Sequence, residues 1–379
     1  MDQSSRISER TPLAPVAAVP PVPGPTLSLV TSRFRMAQPA EPAPDGWQDA
    51  LAQLLGWLRI DAEWVAAARS RRLSRFADWG LAPDASAPVF SPWQGWSPVA
   101  FQHGGLGGLP DAQFVASYLI DHPRGAVPVR AGLDMVLMSP HPALCVADEA
   151  GSAPVPRAAA LKAMIRLARE EGRERLAIIL HARQRNAVAA QLLAAGKGLT
   201  RTGLEIEILT IEDALVPLIA GRTRWDAIIA MPDLRSTVFT LLGQTSGVRK
   251  AWPMLWFGGA GGDRLVQVTS EVQGEGQSRL AFDAPALIHG LALALHGGGA
   301  ARAATRLHEA WARLRDSGVT TSGRGSDAPY AKQVSDPEFI TMLCRDVAVS
   351  RRPQPGWHAL KNAQTAISGS QMPELRVVL

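Results

Sequence analysis

Between Arg157 and Ala230 the chain alternates helical and strand patterns with little slack, and this alternation restricts the folds open to it. RAAALKAMIRLAREEG (Arg157–Gly172) predicts an amphipathic helix ended by glycine. Strand patterns follow at Arg175–Leu180, Leu204–Leu209 and Asp226–Ala230, with helices at Gln184–Ala195 and Ile211–Ala220 between them. Strands separated by helices need crossover connections, so the pattern predicts an α/β fold with a parallel or mixed sheet. GLDMVLMSP (Gly132–Pro140) and RLVQVTSEV (Arg264–Val272) read as further strands on either side of this block.

WDAIIAMPDLRSTVFTLLGQTSG (Trp225–Gly247) places a sharp turn at Met231–Pro232 between a buried strand and a helix. Asp233 is positioned to cap that helix, which runs to Thr245 with Leu234, Val238, Leu241 and Leu242 as its apolar stripe. In α/β proteins ligands sit where strand ends meet helix starts. Here that place offers Thr237 and Leu241, and no acid beyond the cap.

Elsewhere, DGWQDALAQLLGWLRIDAEWVAAA predicts a helix and then a strand near Ile60–Trp64, and Ser86–Gly108, rich in Gly, Pro and Trp, reads as irregular loop. Helices are expected at Ala284–His296, Ala301–Asp316 and Asp336–Val347. The first 46 residues, including PLAPVAAVPPVPGP, are too rich in proline to bury much and are expected to be a disordered tail. Residues 351–379 show little periodicity and are expected to be loose.

With 379 residues the chain can build two lobes with substantial cores. Of its 39 basic residues 34 are arginine, yet no basic run is interleaved with aromatics, so they read as solvated surface and nucleic acid is not an expected partner. Two cysteines, Cys145 and Cys344, argue against a disulfide framework and fit a reducing, cytoplasmic setting. The longest apolar run, Ala284–Gly297, is too short to span a bilayer and holds two histidines, so no membrane is expected either.

Generic motifs carry little. AGKG (Ala195–Gly198) lacks the spacing of a phosphate loop, and GGLGG (Gly104–Gly108) and GGAGG (Gly258–Gly262) read as turns. His141 and Cys145 stand four apart, but a cysteine beside a strand is more often a small buried apolar group. His289 and His296 share a helical face with no third ligand in reach.

The order of segments is more specific. ALKAMIRLAREEGRERLAIILH, then LEIEILTIEDALVPLIAGRTRWDAIIAMPDL, then FDAPALIHGLALALHGGGAARAATRLHEAWARLRDSGVTT and DPEFITMLCRDV together resemble the isocitrate/isopropylmalate dehydrogenase family of β-decarboxylating dehydrogenases. The resemblance implies a two-lobed α/β homodimer with a mixed sheet. Residues 47–125 with 254–350 would form the larger lobe, and 126–253 the smaller lobe with the dimer interface. It also implies oxidation of a 2-hydroxy acid by NAD or NADP, followed by loss of a β-carboxylate assisted by Mg²⁺ or Mn²⁺.

Position by position, the resemblance leaves little of that chemistry. The family's paired metal-binding aspartates fall on Thr237 and Leu241. The aspartate that reaches a partner subunit falls on Glu212, beside Asp213. The catalytic lysine falls on Ala182, or on Arg183 after a one-residue shift. The substrate arginine and catalytic tyrosine of the motif after strand Gly132–Leu137 fall on Met138 and Cys145, and a further substrate arginine on Val127. The cofactor loop, read as QGEGQSRLAF, keeps Gly274.

The resulting expectation is a catalytically silent protein with no metal site and no cofactor, serving as a regulatory or scaffolding subunit. It would be a homodimer or a heteromer with an active relative, with Phe239 contributing an apolar contact outside the helix stripe. Two alternatives stand beside it. One is an NAD(P)-dependent 2-hydroxy acid dehydrogenase, an oxidoreductase with a site rebuilt from Cys145, His141, His181, Arg183 and Asp213. The other is a small-molecule sensor.

Overall fold

The computed structural model describes residues 34–38, 46–65, 88–101, 112–121, 133–147, 153–195, 203–220, 224–246, 251–259, 262, 264–272, 277–278, 283–321, 332–345 and 357–361. The first stretch of chain gives β1 (Phe34–Ala37), α1 (Trp47–Leu58), β2 (Ala62–Val65), β3 (Val89–Trp96), β4 (Phe114–Asp121) and β5 (Leu133–Pro140). Next come β6 (Cys145–Ala147), β7 (Pro154–Pro156), α2 (Ala158–Glu170), β8 (Arg175–Leu180), α3 (Arg185–Ala194), β9 (Glu205–Thr210), α4 (Ile211–Ile219), β10 (Ala227–Ala230) and α5 (Arg235–Ser246). The remainder forms β11 (Ala251–Gly258), β12 (Arg264–Val272), β13 (Gln277–Ser278), α6 (Ala284–Gly297), α7 (Ala301–Asp316), β14 (Val319–Thr321), β15 (Lys332–Val334) and α8 (Asp336–Cys344).

One mixed sheet organises these elements in the order β2-β1-β3-β12-β11-β4-β5-β10-β8-β9, with β13 also paired to β3. Its two ends, β2-β1-β3-β12 and β5-β10-β8-β9, are parallel. The junction between them, β12-β11-β4-β5, is antiparallel. The expected lobe boundary at residues 125 and 126 falls between two paired strands of this sheet, and that at 253 and 254 falls inside β11.

Side chains alternate across a strand, so the two faces of the sheet carry different helices. Leu176, Ile178 and Leu180 of β8 share a core with Leu161, Met164 and Ile165 of α2 and Val188 of α3. Ala177 and Ile179, one residue out of phase, pack instead with Ala214 and Leu218 of α4 and Val238, Phe239 and Leu242 of α5. The chain therefore leaves β8 toward one face and leaves the adjacent, parallel β10 toward the other. The crevice outside their carboxyl ends is a topological switch point.

The helices follow from their sequences. In α6 every residue from Ala284 to Leu295 is buried, His289 included, as a helix apolar on nearly every side requires. Its start is set by Asp283, whose side chain accepts the Ala286 N–H, and by Pro285 in the first turn. In α7 the buried residues Ala304, Leu307, His308, Trp311, Ala312 and Arg315 repeat at helical spacing. Among the described residues no helix is long and apolar enough to cross a membrane.

Four expectations need correction. The tail does not run unbroken to residue 46, because Phe34–Ala37 is β1, seated between β2 and β3 with Phe34, Met36 and Ala37 buried. Proline on both sides masks this short proline-free window. Ser86–Gly108 is not all loop, since β3 occupies Val89–Trp96. Pro92 is tolerated there because the β3–β12 register slips between Phe90 and Gly95. The segment 351–379 is not uniformly loose. Trp357 is buried with its ring centroid 6.0 Å from Tyr118, 5.3 Å from His289 and 5.4 Å from His308. A single large aromatic anchors Trp357–Lys361 without any periodicity to announce it. Finally, the arginines are not all surface, because Arg173 and Arg235 are buried.

Candidate functional site

Four neighbouring parallel strands, β5, β10, β8 and β9, end at the same edge of the sheet, and a polar residue stands at or just beyond each end. Beyond β5 lies His141, whose Nδ1 accepts the Ala143 N–H at 3.2 Å and opens a 3₁₀ turn. Beyond β8 lies His181, which forms a reciprocal capping box with Gln184. Gln184 Oε1 accepts the His181 N–H at 2.7 Å, while Gln184 Nε2 donates to the Pro154 carbonyl at 2.7 Å. At the end of β9, Thr210 Oγ1 accepts the Asp213 N–H at 3.2 Å and donates to Asp213 Oδ2 at 2.8 Å, which caps α4.

Asp233 follows β10 and closes the crevice toward β8. It does not cap α5 as the sequence suggests: the helix begins at Arg235, and Asp233 Oδ2 lies 3.4 Å from His181 Nε2. Burial raises the Asp233 carboxyl above its usual range, opposed by His181, by a backbone hydrogen bond, by Arg183 and by Gln184. The polar groups at the switch point thus hold turns and helix starts together.

Cys145 stands at the start of β6, its Sγ 3.7 Å from the His141 carbonyl oxygen. Burial pushes its thiol up to about 12, the Asp233 carboxylate adds to the rise and Arg157 opposes it. Such a thiol stays neutral near pH 7 and is a poor nucleophile. Met138 is buried within β5. Ala182 and Arg183 are exposed in the turn after β8, Glu212 is exposed in the first turn of α4, and Thr237 is exposed on α5. Leu241 is half-buried against the α4–α5 core. Gly274, Val127 and most of the cofactor-loop match beyond β12 lie outside the described residues. The structure therefore brings together His141, Cys145, His181 and Asp233, and leaves Glu212 and Asp213 on the outermost strand connection.

The donor set does not fit a hard divalent cation. Mg²⁺ and Mn²⁺ require several oxygen ligands, whereas the matching helix positions hold one exposed hydroxyl and one hydrocarbon side chain. Among the described residues no group of three or more His, Cys, Asp and Glu side chains could hold a metal ion.

Arg235, the first residue of α5, is a site the sequence pattern does not single out. Its Nε donates to Glu271 Oε1 at 2.8 Å and its Nη2 to Glu271 Oε2 at 2.7 Å and Ser117 Oγ at 2.8 Å. Its Nη1 donates to Ser139 Oγ at 2.9 Å. A usable signal existed: Arg235 shares a helical face with Val238, Phe239 and Leu242, so its charge sits on the apolar side of α5. A second buried network joins Tyr118, Glu171, Arg173 and Asp134 at the opposite edge of the sheet.

Fold and crevice together define an α/β protein whose candidate site lies at a topological switch point. Among solved structures it is similar to the TT0538 protein from Thermus thermophilus, with a TM-score of 0.57 and 12% identity over 85% of this chain and 72% of that one. It is also similar to isocitrate dehydrogenase from Methylococcus capsulatus, with a TM-score of 0.53 and 13% identity over 82% of this chain and 98% of that one. No family model matches the sequence, and no curated protein matches it. The chain has an isocitrate/isopropylmalate dehydrogenase-like fold.

Proposed function

We propose that this chain is a catalytically silent protein on that fold, acting in the cytoplasm as a regulatory or scaffolding subunit. One observation carries the reading: at the switch point, His141, His181, Gln184, Thr210 and Asp213 are engaged in caps and turns. The positions matched to the proton carriers hold Ala182, which has no ionisable group, and Cys145, whose thiol is neutral. General acid–base catalysis needs a titrating group within reach of the reacting proton. Assembly as a homodimer, or as a heteromer with an active relative, belongs to the same proposal.

Calorimetric titration with Mg²⁺, Mn²⁺, NAD and NADP tests the silent reading. No saturable heat is expected from any of them, and tight Mn²⁺ binding lost in Glu212→Gln would defeat it. Capture of partners from the source cell tests the subunit role, with a co-purifying dehydrogenase as the expected result.

The rebuilt-enzyme alternative draws on the His181–Asp233 pair, which is half-exposed at the crevice. An acid–histidine pair can move a proton only if a ring nitrogen faces the substrate. Here the ring is engaged by Asp233 on one side and by the Gln184 cap on the other.

A further inference from the structure

A guanidinium offers five N–H groups in a planar fork and matches a carboxylate in two parallel hydrogen bonds. Around Arg235 that match is complete and wholly buried, since Arg235, Glu271, Ser117 and Ser139 all have exposures of 1% or less. Nε and Nη2 take the two carboxylate oxygens of Glu271, and the remaining donors meet Ser117 Oγ, Ser139 Oγ and, at 3.5 Å, the Leu137 carbonyl. Ser139 in turn donates to the Ala230 carbonyl at 2.8 Å, which fixes its oxygen as an acceptor toward Arg235. Its partners come from β12, β4 and β5, and β10 holds Ser139 in turn, so the guanidinium is oriented across the antiparallel junction.

We infer that Arg235, with Ser117 and Ser139, is a carboxylate-binding centre that the chain fills with its own Glu271. Only the carboxylate of Glu271 is specific to this role. The donors facing it are Nε and Nη2 of Arg235. Ser117, Ser139 and the Leu137 carbonyl hold that guanidinium from strands other than that of Glu271 and keep it in place when the carboxylate is removed. Truncation to alanine removes the Glu271 carboxylate with its side-chain carbons beyond Cβ, which leaves room for acetate or formate. Buried cavities of this size admit small ligands that match their lining. The native protein has no vacancy there, so free carboxylates leave it unaffected. The inference concerns residues outside the proton-carrier positions, and its failure would leave the silent reading intact.

Thermal unfolding of full-length Glu271→Ala in sodium formate, sodium acetate and sodium chloride at equal ionic strength tests it. The variant is expected to melt below the native protein, because a buried guanidinium loses its partner. Formate or acetate at about 100 mM is expected to raise its Tm by roughly 3 °C or more over chloride, through binding to the folded state. The native protein, and the double variant Arg235→Met with Glu271→Ala, are expected to show no such difference. An equal response to chloride, or no response to either carboxylate, would overturn the inference. If Glu271→Ala does not fold in chloride, refolding into formate decides: recovery of folded protein supports the centre, and failure in both salts overturns it.

Discussion

His181 Nε2 and Asp233 Oδ2 stand 3.4 Å apart, joining the turn after β8 to the turn after β10 across the crevice. Burial raises the carboxyl of Asp233 from its ordinary 3.8 even with His181 beside it. An acid whose folded pKa lies above its unfolded value binds more protons when folded, so stability falls as pH rises through that window. Native protein is therefore expected to lose stability from just above pH 3.8 up to the raised value, and Asp233→Asn is expected to flatten that part of the profile. Urea unfolding at a series of pH values checks this. A profile unchanged by the substitution would show that Asp233 titrates alike in both states.

Cys145 supplies a chemical test of the crevice. With its thiol at about 12, its thiolate fraction at pH 8 is roughly a thousandfold below that of an ordinary cysteine. Alkylation by iodoacetamide, followed by mass spectrometry, is expected to be slower than for a small free thiol by a similar factor. Cys344, raised to about 11, is expected to react slowly too. Rapid labelling of Cys145 at neutral pH would mean an activated nucleophile and would favour the rebuilt enzyme.

Phe239 corrects an expectation about assembly. The helix pattern points it at a second subunit, but it is buried within its own chain, with its ring centroid 4.4 Å from that of Trp252. Phe239→Ala is expected to cost about 3–5 kcal/mol in denaturant unfolding, whatever the oligomeric state. A loss below about 1 kcal/mol would show that the ring is not part of the core. Association itself is read by sedimentation of the native protein, since Phe239→Glu would disturb folding first.

These results show which levels of structure were legible in the residues. The β8–α5 region could be read almost element by element, because apolar periodicity switches cleanly between strand and helix and glycine ends α2. Strand Arg175–Leu180 matches to the residue. By contrast β1 and β3 are short or interrupted by proline, and their pairing partners lie far along the chain, so local pattern could not reveal them. At the site, the apolar and small residues Ala182 and Leu241 could be read for what they lack. The capping roles of His141 and His181 could not, because a histidine cap depends on turn geometry. The charge of Arg235 on the apolar face of α5 could be read, but its pairing could not: Glu271 lies 36 residues away on a strand, where no local pattern links the two.

Trp357 is expected to hold the segment Trp357–Lys361 on the sheet. Trp357→Ala is expected to cost about 3–5 kcal/mol. The neighbouring His358 donates its backbone N–H to Asp134 Oδ2 at 2.9 Å, and burial lowers its imidazole below the ordinary 6.5. A base with a lowered folded pKa binds fewer protons when folded, so this contribution is lost as pH falls below 6.5 toward the folded value. His358→Gln is expected to reduce that loss. Equal stability of Trp357→Ala and native protein in urea would mean that the segment is not anchored by its indole.

Restoring both lost acids, by Thr237→Asp with Leu241→Asp, is expected to leave turnover absent. A metal site alone supplies no proton carrier at Ala182 or Cys145. Oxidation of a 2-hydroxy acid by that variant in the presence of Mn²⁺ would show that the remaining crevice groups suffice.

Catalytic silence is tested most directly by turnover of the native protein. Purified chain would be incubated with NAD or NADP, Mn²⁺ and a panel of 2-hydroxy acids that includes isocitrate and 3-isopropylmalate, and reduced nicotinamide followed over time. The account predicts no formation above the protein-free control at any protein concentration. Reduced nicotinamide that rises in proportion to the protein, and is lost in His181→Ala, would contradict it.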